Sequence, residues 1–396
     1  MMVNAAILGF GVVGSGVAEV LTGQGDGLHK KADELIELKY ILDVRQFPDS
    51  PFADCFVQDF SVIEKDPSVG VVIETIGGVG AALDFTERAL KAGKSVVTSN
   101  KELVAKHGPR LLQLAAEHGV VYLFEASVGG GIPILRPLSD CMAANDILEI
   151  CGILNGTANY IFTRMVQDGI PFEQALKGAQ ANGYAEQDPT ADVEGQDTCR
   201  KLCILSSIAF GWHLQPDQVP TRGITQITLA DEAYADACGR RIKLLGRAIA
   251  QDGGKVCAYV EPHFVSLHPL AGVEDVFNAI TVKGNATGDV MFYGRGAGKL
   301  PTASAVVADV IAAARQLERA SYRPWAPNRP ECVASVDDLP SQWYVRLAQG
   351  ELSGQRLTIP QAQPGESGWI TPAMTRPQLE RALAGKDVLA VIRVLD

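Results

Sequence analysis

The sequence has little of what a membrane protein, a disulfide-bonded secreted protein or a nucleic-acid-binding protein needs. No apolar run approaches the roughly 18–20 residues of a transmembrane helix, and the first residues lack the pattern of a signal peptide. The eight cysteines include no CxxC pair, so we predict neither a disulfide framework nor a cysteine metal site. Lys and Arg number 35 against 46 Asp and Glu, which argues against nucleic acid or an anionic membrane as partner. We therefore expect a cytoplasmic protein.

The first third of the chain alternates short apolar runs with segments of helical periodicity. The runs predict buried parallel strands at Val3–Leu8, Lys39–Val44, Val69–Thr75, Ser95–Thr98 and Val120–Phe124. The segments between them predict helices at Ser15–Leu21, Ala81–Ala92 and Pro109–His118. Repeated strand–helix units predict an α/β fold with a parallel sheet covered by helices on both faces, of the Rossmann type.

The pattern then changes to that of an α+β domain. Ile147–Leu154 and the stretch Val256–Tyr293 indicate strands, and helices are predicted at Tyr160–Gln167, Phe172–Ala181, Asp192 to about Phe210, and Arg240–Ala250. A long helix, Thr302–Ala320, is expected to return to the first domain. Beyond the linker Tyr322–Pro330, the tail shows two strands and one helix, at Trp343–Leu347, Val388–Val394 and Arg376–Leu383. We expect domain boundaries at residues 1–135, 136–301, 302–321 and 322–396.

A glycine-rich motif marks the turn after the first predicted strand. It opens the first predicted helix and consists of Gly9, Phe10, Gly11, Val12, Val13 and Gly14. The first glycine permits the tight turn, the second lets the backbone approach a pyrophosphate, and the third allows close packing of helix and strand. The helix N-terminus favours the anion, so this context predicts a bound dinucleotide rather than an ordinary glycine turn.

The second predicted strand ends with two residues that favour different cofactors. Asp43 would accept hydrogen bonds from a ribose 2′-hydroxyl and favour NAD, whereas Arg45 would accommodate a 2′-phosphate and favour NADP. We prefer NADP slightly, because Arg45 lies nearer the carboxyl end of the strand. Thr75 and Lys101 follow later strands at the edge where such sheets bind ligands, although Lys101 taken alone would more often be a solvated surface lysine.

The stretch from Gly183 to Lys201 concentrates acidic residues before a helix that continues without charge. Glu194, Asp197 and Lys201 have the spacing of one helix face, which predicts a half-buried lysine held by Asp197. Such a lysine can deliver a proton to the alkoxide that forms when a hydride reduces an aldehyde. The alternative is a helix N-terminus decorated with acids plus a structural ion pair.

A second glycine-rich run, Glu125–Pro133, follows the last strand of the first domain. Its exposed carbonyls and Glu125 could bind a hard cation through oxygen atoms. The run could equally be only a flexible hinge between the domains.

Together these motifs resemble those of homoserine dehydrogenases from residue 4 to about 320. The matching segments are Gly9–Gly14, Val96–Lys101, Glu125–Pro133, Gly152–Ile161, Gly183–Lys201, His268–Ala271, Gly296–Gly298 and Pro301–Ala305. The resemblance implies reversible NAD(P)-dependent reduction of L-aspartate 4-semialdehyde to L-homoserine, in the biosynthesis of threonine, methionine and isoleucine. It implies that residues 1–135 bind NAD(P) and that residues 136–301 bind the substrate and dimerise.

The resemblance also assigns roles to individual residues. Lys201, with Lys101 and Asp197, would be catalytic, and Gly298 would approach the cofactor. The substrate would be bound by Glu186, Asp192, Asp197, Tyr184, Gly156 and Thr157. A monovalent cation, Na⁺ or K⁺, would lie near Glu125 and the carbonyls of Val128, Gly130 and Ile132. Members usually form homodimers or dimers of dimers.

The tail departs from the family pattern. Many members carry a C-terminal ACT module, whereas the segment after Pro330 is short and predicts only a truncated, ACT-like remnant. Two other functions remain possible: another NAD(P)-dependent amino-acid dehydrogenase, or a non-catalytic sensor that binds NAD(P).

Overall fold

The computed structural model describes residues 2–23, 35–315 and 322–395, and these divide into two compact units. The first unit comprises Met1–Ala144, Cys203–Pro216 and Arg295–Asn328, and the second comprises Asn145–Leu202, Asp217–Gly294 and Arg329–Asp396. Both units are therefore discontinuous in sequence, unlike the four consecutive segments expected from the sequence. The boundaries of the functional domains stay predictions.

The first unit contains a six-stranded parallel sheet in the order β3-β2-β1-β4-β5-β6. Its strands are β1 (Met2–Leu8), β2 (Leu35–Leu42), β3 (Phe56–Val57), β4 (Val69–Glu74), β5 (Ser95–Thr98) and β6 (Tyr122–Leu123). Its helices are α1 (Val12–Gly23), α2 (Phe60–Lys65), α3 (Gly80–Lys91) and α4 (Lys101–Glu117). This order is that of a Rossmann sheet, so the predicted fold class is confirmed. The chain reverses direction across the sheet between β1 and β4, where ligands of such sheets bind.

Helix α4 is longer than predicted, because it continues through Pro109 instead of beginning there. Proline lacks the N–H that would bond to the carbonyl of Ala105, four residues earlier. That carbonyl instead accepts a hydrogen bond from Nε2 of the buried His213, at 2.7 Å. A side chain from a distant segment thus satisfies the acceptor that proline leaves open, which local sequence rules do not anticipate.

The second unit is built on a mixed nine-stranded sheet in the order β11-β10-β7-β8-β9-β15-β12-β14-β13. The first five strands along the chain are β7 (Ile147–Ile153), β8 (Arg241–Gln251), β9 (Lys255–Val265), β10 (Phe277–Gly284) and β11 (Gly288–Arg295). Its helices are α5 (Gly156–Asp168), α6 (Phe172–Ala181), α7 (Thr190–Val193) and α9 (Leu229–Ala237), and α8 (Gln196–Phe210) contributes residues to both units.

The prediction of a helix at Arg240–Ala250 was wrong, since this segment is strand β8. Its apolar residues fit both a helix and a buried strand, and pairing decides between them. All eleven residues of β8 pair with β9 in an antiparallel ladder. Tertiary pairing of this kind overrides weak local preference.

The tail extends the same sheet. Strands β12 (Trp343–Leu347), β13 (Gln355–Leu357), β14 (Ser367–Ile370) and β15 (Val388–Leu395) accompany helix α11 (Arg376–Leu383). Strand β15 pairs in parallel with β9, so the tail continues the sheet of the second unit. The predicted strands and helix of the tail are found, with two short strands added. Its likeness to an ACT module stays a prediction.

The return helix predicted at Thr302–Ala320 begins earlier, as α10 (Lys299–Ala314), and residues 316–321 lie outside the described part of the chain. It packs closely on α1: a Cβ atom at Gly16 would lie 2.9 Å from Cγ of Lys299. Within residues 2–23, 35–315 and 322–395, no helix is long and apolar enough to cross a membrane.

Candidate active site

The glycine-rich motif forms the turn between β1 and α1, and each of its glycines meets a different steric condition. Gly9 has φ +89°, a conformation that L side chains rarely adopt. A Cβ atom at Gly14 would lie 2.0 Å from the carbonyl oxygen of Gly9, so helix and turn can approach only without a side chain. A Cβ atom at Gly11 would meet nothing within 4 Å. Gly11 therefore leaves open space beside the helix N-terminus, which fits the close approach of a pyrophosphate.

A cavity of about 700 Å³ opens beside this motif. It lies between α1 and the loop after β2, and its lining includes Phe10, Ser15, Gln46, Phe47 and Lys299. Phe10 packs against an aromatic cluster, with its ring centroid 5.1 Å from Phe47 and 5.2 Å from Phe56. The size and place of this cavity fit the ADP half of a dinucleotide.

The two ribose candidates, Asp43 and Arg45, are joined to each other. Oδ2 of Asp43 accepts the backbone N–H of Phe10 at 2.7 Å, and both carboxylate oxygens accept hydrogen bonds from the Arg45 guanidinium at 3.0 Å. These hydrogen bonds lower the pKa of Asp43 to about 2. The carboxylate is thus ionised, buried and engaged in holding the glycine turn, whereas Arg45 is 59% exposed and lies over the Phe47 ring.

The loops after β4 and β5 are organised by Glu74, which the sequence analysis overlooked. This buried carboxyl accepts the N–H of Ile76 at 2.8 Å and the hydroxyl of Thr98 at 2.6 Å. Burial raises its pKa. Its position at the end of β4 was visible in the sequence, but an acidic residue there signals no role until the neighbouring strand is known.

The predicted residue Thr75 lies in the loop after β4, and Lys101 lies directly after the loop that follows β5. The hydroxyl of Thr75 donates to the carbonyls of Leu8 and Gly9, at 3.0 and 2.9 Å, so it supports the glycine turn. Lys101 is the first residue of α4, directly after Asn100, whose side chain caps the helix by accepting the N–H of Leu103. Lys101 thus lies at the carboxyl edge of the parallel sheet.

Gly298 immediately precedes α10 and has φ +119°. A side chain would strain this backbone. The nearby turn at Gly130 also needs glycine, because a Cβ atom there would lie 2.4 Å from the carbonyl oxygen of Gly296. The two glycine segments therefore pack backbone to backbone within the first unit.

The lysine predicted to carry the proton lies in the second unit. Lys201 is 7% exposed, so it is more deeply buried than expected. Its Nζ donates to the carbonyl of Leu154 at 2.7 Å and lies 2.9 Å from Oδ2 of Asp197, one helical turn earlier on α8. The predicted Asp197–Lys201 pair is thus present in the structure.

Glu194 does not share the helix face predicted for it. The helical conformation is interrupted at Gly195, which has φ +79°. Glu194 is therefore the C-cap of the short helix α7, whereas Asp197 belongs to the next helix, α8. The carboxylate of Glu194 accepts a hydrogen bond from Thr225 instead. Regular spacing suggested one helix because a single glycine inside an apolar pattern does not reveal its φ angle.

Asp192 lies on α7, and its Oδ1 accepts a hydrogen bond from Nδ2 of Asn155 at 2.7 Å. The other substrate candidates surround the start of α5. The hydroxyl of Thr157 donates to the carbonyl of Tyr184 at 2.6 Å, and the exposed Glu186 follows two residues later. Gly156 permits close packing, since a Cβ atom would lie 2.7 Å from the carbonyl oxygen of Val276.

The Glu125 carboxylate is already bound by the protein. Its Oε1 accepts the N–H groups of Ile134 and Leu135, at 2.7 and 2.8 Å, and its Oε2 accepts that of Arg136 at 2.9 Å. Among the described residues, no group of three His, Cys, Asp or Glu side chains could hold a metal ion. A cation near Glu125 would therefore depend on main-chain carbonyls, and it stays a prediction.

Fold and site together define a class of protein. The first unit is a Rossmann domain whose glycine turn and adjoining cavity fit a dinucleotide, and the second presents a buried lysine–aspartate pair suited to proton transfer. These are the features of a nicotinamide-dependent oxidoreductase.

Comparisons with known proteins identify the family. The family model "Homoserine dehydrogenase, NAD binding domain" matches residues 9–125, and the model "Homoserine dehydrogenase" matches residues 133–311. A homoserine dehydrogenase of Synechocystis is 39% identical over 368 residues, which cover 89% of this chain and 84% of that protein. The chain belongs to the homoserine dehydrogenase family of NAD(P)-dependent oxidoreductases that act on CH–OH groups.

Two solved structures show the same fold. The homoserine dehydrogenase of Thiobacillus denitrificans superposes with a TM-score of 0.88 at 32% identity and covers 100% of this chain and 99% of its own. A hyperthermophilic archaeal homoserine dehydrogenase in complex with NADPH has a TM-score of 0.66 at 26% identity, covering 79% of this chain and 98% of its own.

The open space beside Gly11 allows the proposed cofactor site to be tested by a single substitution. Gly11→Ala should leave the melting temperature unchanged, because its Cβ has room and its φ is not positive, yet weaken NADPH binding by about tenfold or more by blocking the pyrophosphate. Fluorescence titration with NADPH and thermal denaturation measure the two effects. Gly272→Ala, an exposed and sterically open glycine in the second unit, is the matched control. Equal NADPH affinity of Gly11→Ala and the unaltered protein would contradict the assignment.

Proposed function

We propose that this chain interconverts L-aspartate 4-semialdehyde and L-homoserine, with Lys201 as the group that exchanges the proton. The observation that supports this best is the buried Lys201, held between Asp197 and the carbonyl of Leu154. Family membership supports the substrate, and the geometry of the pair supports the role of the residue.

The chemistry has two parts, hydride transfer and proton transfer. A bound nicotinamide supplies or accepts the hydride at C4 of the substrate. In the reductive direction, Nζ of Lys201 donates a proton to the aldehyde oxygen, and its positive charge stabilises the negative charge developing there. In the oxidative direction, the neutral amine accepts the hydroxyl proton. Asp197 holds the amine in one place, which favours proton transfer along a fixed line.

The acidic residues around α7 give the site affinity for an amino-acid substrate. Asp192 and Glu186 are proposed to bind the ammonium group of the substrate, and Tyr184, Gly156 and Thr157 to form the pocket wall. Lys101 is proposed to contact both nicotinamide and substrate, and Gly298 to approach the cofactor. The hydrogen bond between Thr157 and the Tyr184 carbonyl supports the shared wall, because it ties α5 to the acidic loop.

We further propose a preference for NADP. The Asp43 carboxylate is occupied by Phe10 and Arg45, so it has little capacity left for a ribose hydroxyl. The Arg45 guanidinium is exposed and held in place by the same contact, ready to pair with a 2′-phosphate. The NADPH complex of the archaeal relative is consistent with this choice.

An acylating semialdehyde dehydrogenase, which needs a nucleophilic cysteine, is a poorer explanation. Burial raises the pKa of the Cys151 thiol to about 12, the opposite of what a nucleophilic thiolate requires. Cys199 is also buried.

We also propose a cytoplasmic homodimer, or a dimer of dimers, formed through the second unit. Strand β11 is an edge of the nine-stranded sheet, and its Met291 and Tyr293 side chains are 38% and 55% exposed. An unpaired edge with exposed apolar side chains favours pairing with a second copy. Sedimentation velocity tests this: a monomer at micromolar concentration would contradict it.

The proton role of Lys201 predicts a specific kinetic loss. Lys201→Met preserves much of the side-chain volume but removes the amine, so kcat for homoserine oxidation should fall about 100- to 10,000-fold while NADPH still binds. Lys201→Arg should be similarly inactive, because a guanidinium does not release its proton.

The control is Lys177→Met, which alters an exposed lysine of α6 in the same unit and should retain turnover. Normal kcat in Lys201→Met would refute the assignment. Wild-type protein that binds NADPH but oxidises no homoserine would instead favour the sensor alternative.

The cofactor preference predicts a selective effect of Arg45→Ala. Losing charge-assisted hydrogen bonds to a phosphate should raise KM for NADP⁺ about 10- to 100-fold and leave KM for NAD⁺ within about threefold. Arg110→Ala, which changes an exposed arginine on α4, is the control. Equal effects on both cofactors would show that Arg45 does not read the 2′-phosphate.

A further inference from the structure

Asn155 occupies the junction between β7 and α5, and its side chain has one possible orientation. It precedes Gly156, the first residue of α5, and its Oδ1 accepts the N–H of Ala158 at 2.8 Å as a helix N-cap. Because this N–H can only donate, the oxygen of the amide must face the helix. The Nδ2 group must then face the opposite way, and the residue is 5% exposed.

The Nδ2 group joins the two aspartates of the candidate substrate site. It donates to Oδ1 of Asp192 at 2.7 Å and to Oδ2 of Asp197 at 2.8 Å, which uses both of its N–H bonds. These carboxylates belong to α7 and α8, which are separated by the break at Gly195. One neutral amide therefore bridges two carboxylates whose relative positions are not fixed by a single continuous helix.

The same junction also binds the lysine. Leu154, the residue before Asn155, accepts a hydrogen bond from Nζ of Lys201 through its carbonyl, and Lys201 lies 2.9 Å from the Asp197 oxygen that Asn155 contacts. Leu154, Asn155, Asp197 and Lys201 thus form a closed ring of contacts. We therefore expect a shift of Asn155 to move Asp197 and, through it, the amine.

We propose that Asn155 is a positioning residue: it fixes Asp197 against Lys201 for proton transfer and fixes Asp192 for substrate binding. The inference rests on the proposed function and deepens it. The asparagine amide meets three demands at once, because it accepts from the helix, donates twice and adds no charge beside two carboxylates. Aspartate would keep the cap but lose the donors and repel both neighbours.

Two variants that keep the helix cap test this. Asn155→Ser retains an N-cap side chain but is too short to bridge the carboxylates, so kcat should fall about 100-fold through misplacement of Lys201. Its NADPH affinity should stay near that of wild type, and the stability it loses with its buried hydrogen bonds should be no greater than in the control variant Asn159→Ser. Asn159→Ser alters another buried amide of α5, one that donates to the carbonyls of Val273, Asp275 and Phe277, and it should lower stability with kcat within about twofold.

Asn155→Asp provides a pH readout that a purely structural role would not move. When protonated, the new carboxyl can donate one hydrogen bond to the aspartates, and their negative charges favour that protonated form. Activity relative to wild type should therefore rise as the pH falls from about 9 to about 6, whereas the Asn155→Ser ratio stays flat. Charged groups that contact this side chain include Asp192 and Asp197, and Lys201 in turn contacts Asp197.

The outcomes separate the two proposals. Reduced kcat in Asn155→Ser, with partial recovery of Asn155→Asp at low pH, supports the positioning role. Unchanged kcat in Asn155→Ser overturns it while leaving the proposed function intact. If Asn155→Ser does not fold, a pH-independent activity ratio in Asn155→Asp overturns it. Absence of homoserine turnover in wild type rejects the proposed function, and the inference with it.

Discussion

The buried ion pair between Asp197 and Lys201 is the interaction on which the candidate active site depends. An ammonium removed from water must be compensated by nearby acceptors, and here a carboxylate oxygen at 2.9 Å and a backbone carbonyl at 2.7 Å provide that compensation. These two contacts also determine where the amine of Lys201 lies. A group that exchanges a proton is useful only in a fixed place, so the same contacts that make burial tolerable suit Lys201 to the proposed proton transfer.

In the cofactor region, too, a few local contacts fix the geometry, but there they fix the backbone of a turn and not a side chain. There, backbone geometry is the constraint: Gly9 allows the turn, Gly14 allows the close packing of helix and turn, and Gly11 leaves space that fits a pyrophosphate. Side chains then stabilise that turn: Asp43 accepts the N–H of Phe10, and Thr75 donates to the turn carbonyls. Asp43, one of the two candidates for contact with the ribose, thus stabilises the glycine turn, and Arg45 remains exposed beside it.

Much of the architecture could be predicted from the sequence, because local patterns determine it. Apolar runs and the glycine motif indicated the Rossmann sheet, and the spacing of Asp197 and Lys201 on one helix gave the ion pair. What escaped prediction depends on contacts between distant segments. Strand β8 has an ambiguous pattern that is resolved by pairing with β9, and Asn155 has no visible role until α7 and α8 meet it.

Hydride transfer between a nicotinamide and C4 of aspartate semialdehyde is the reaction that this chain is proposed to perform. The most direct measurement uses NADPH carrying deuterium at the transferable position of the ring, with aspartate semialdehyde as substrate and mass spectrometry of the product. We expect homoserine with one deuterium at C4, formed in step with NADPH consumption. Folded protein that binds NADPH but yields no labelled homoserine would contradict it.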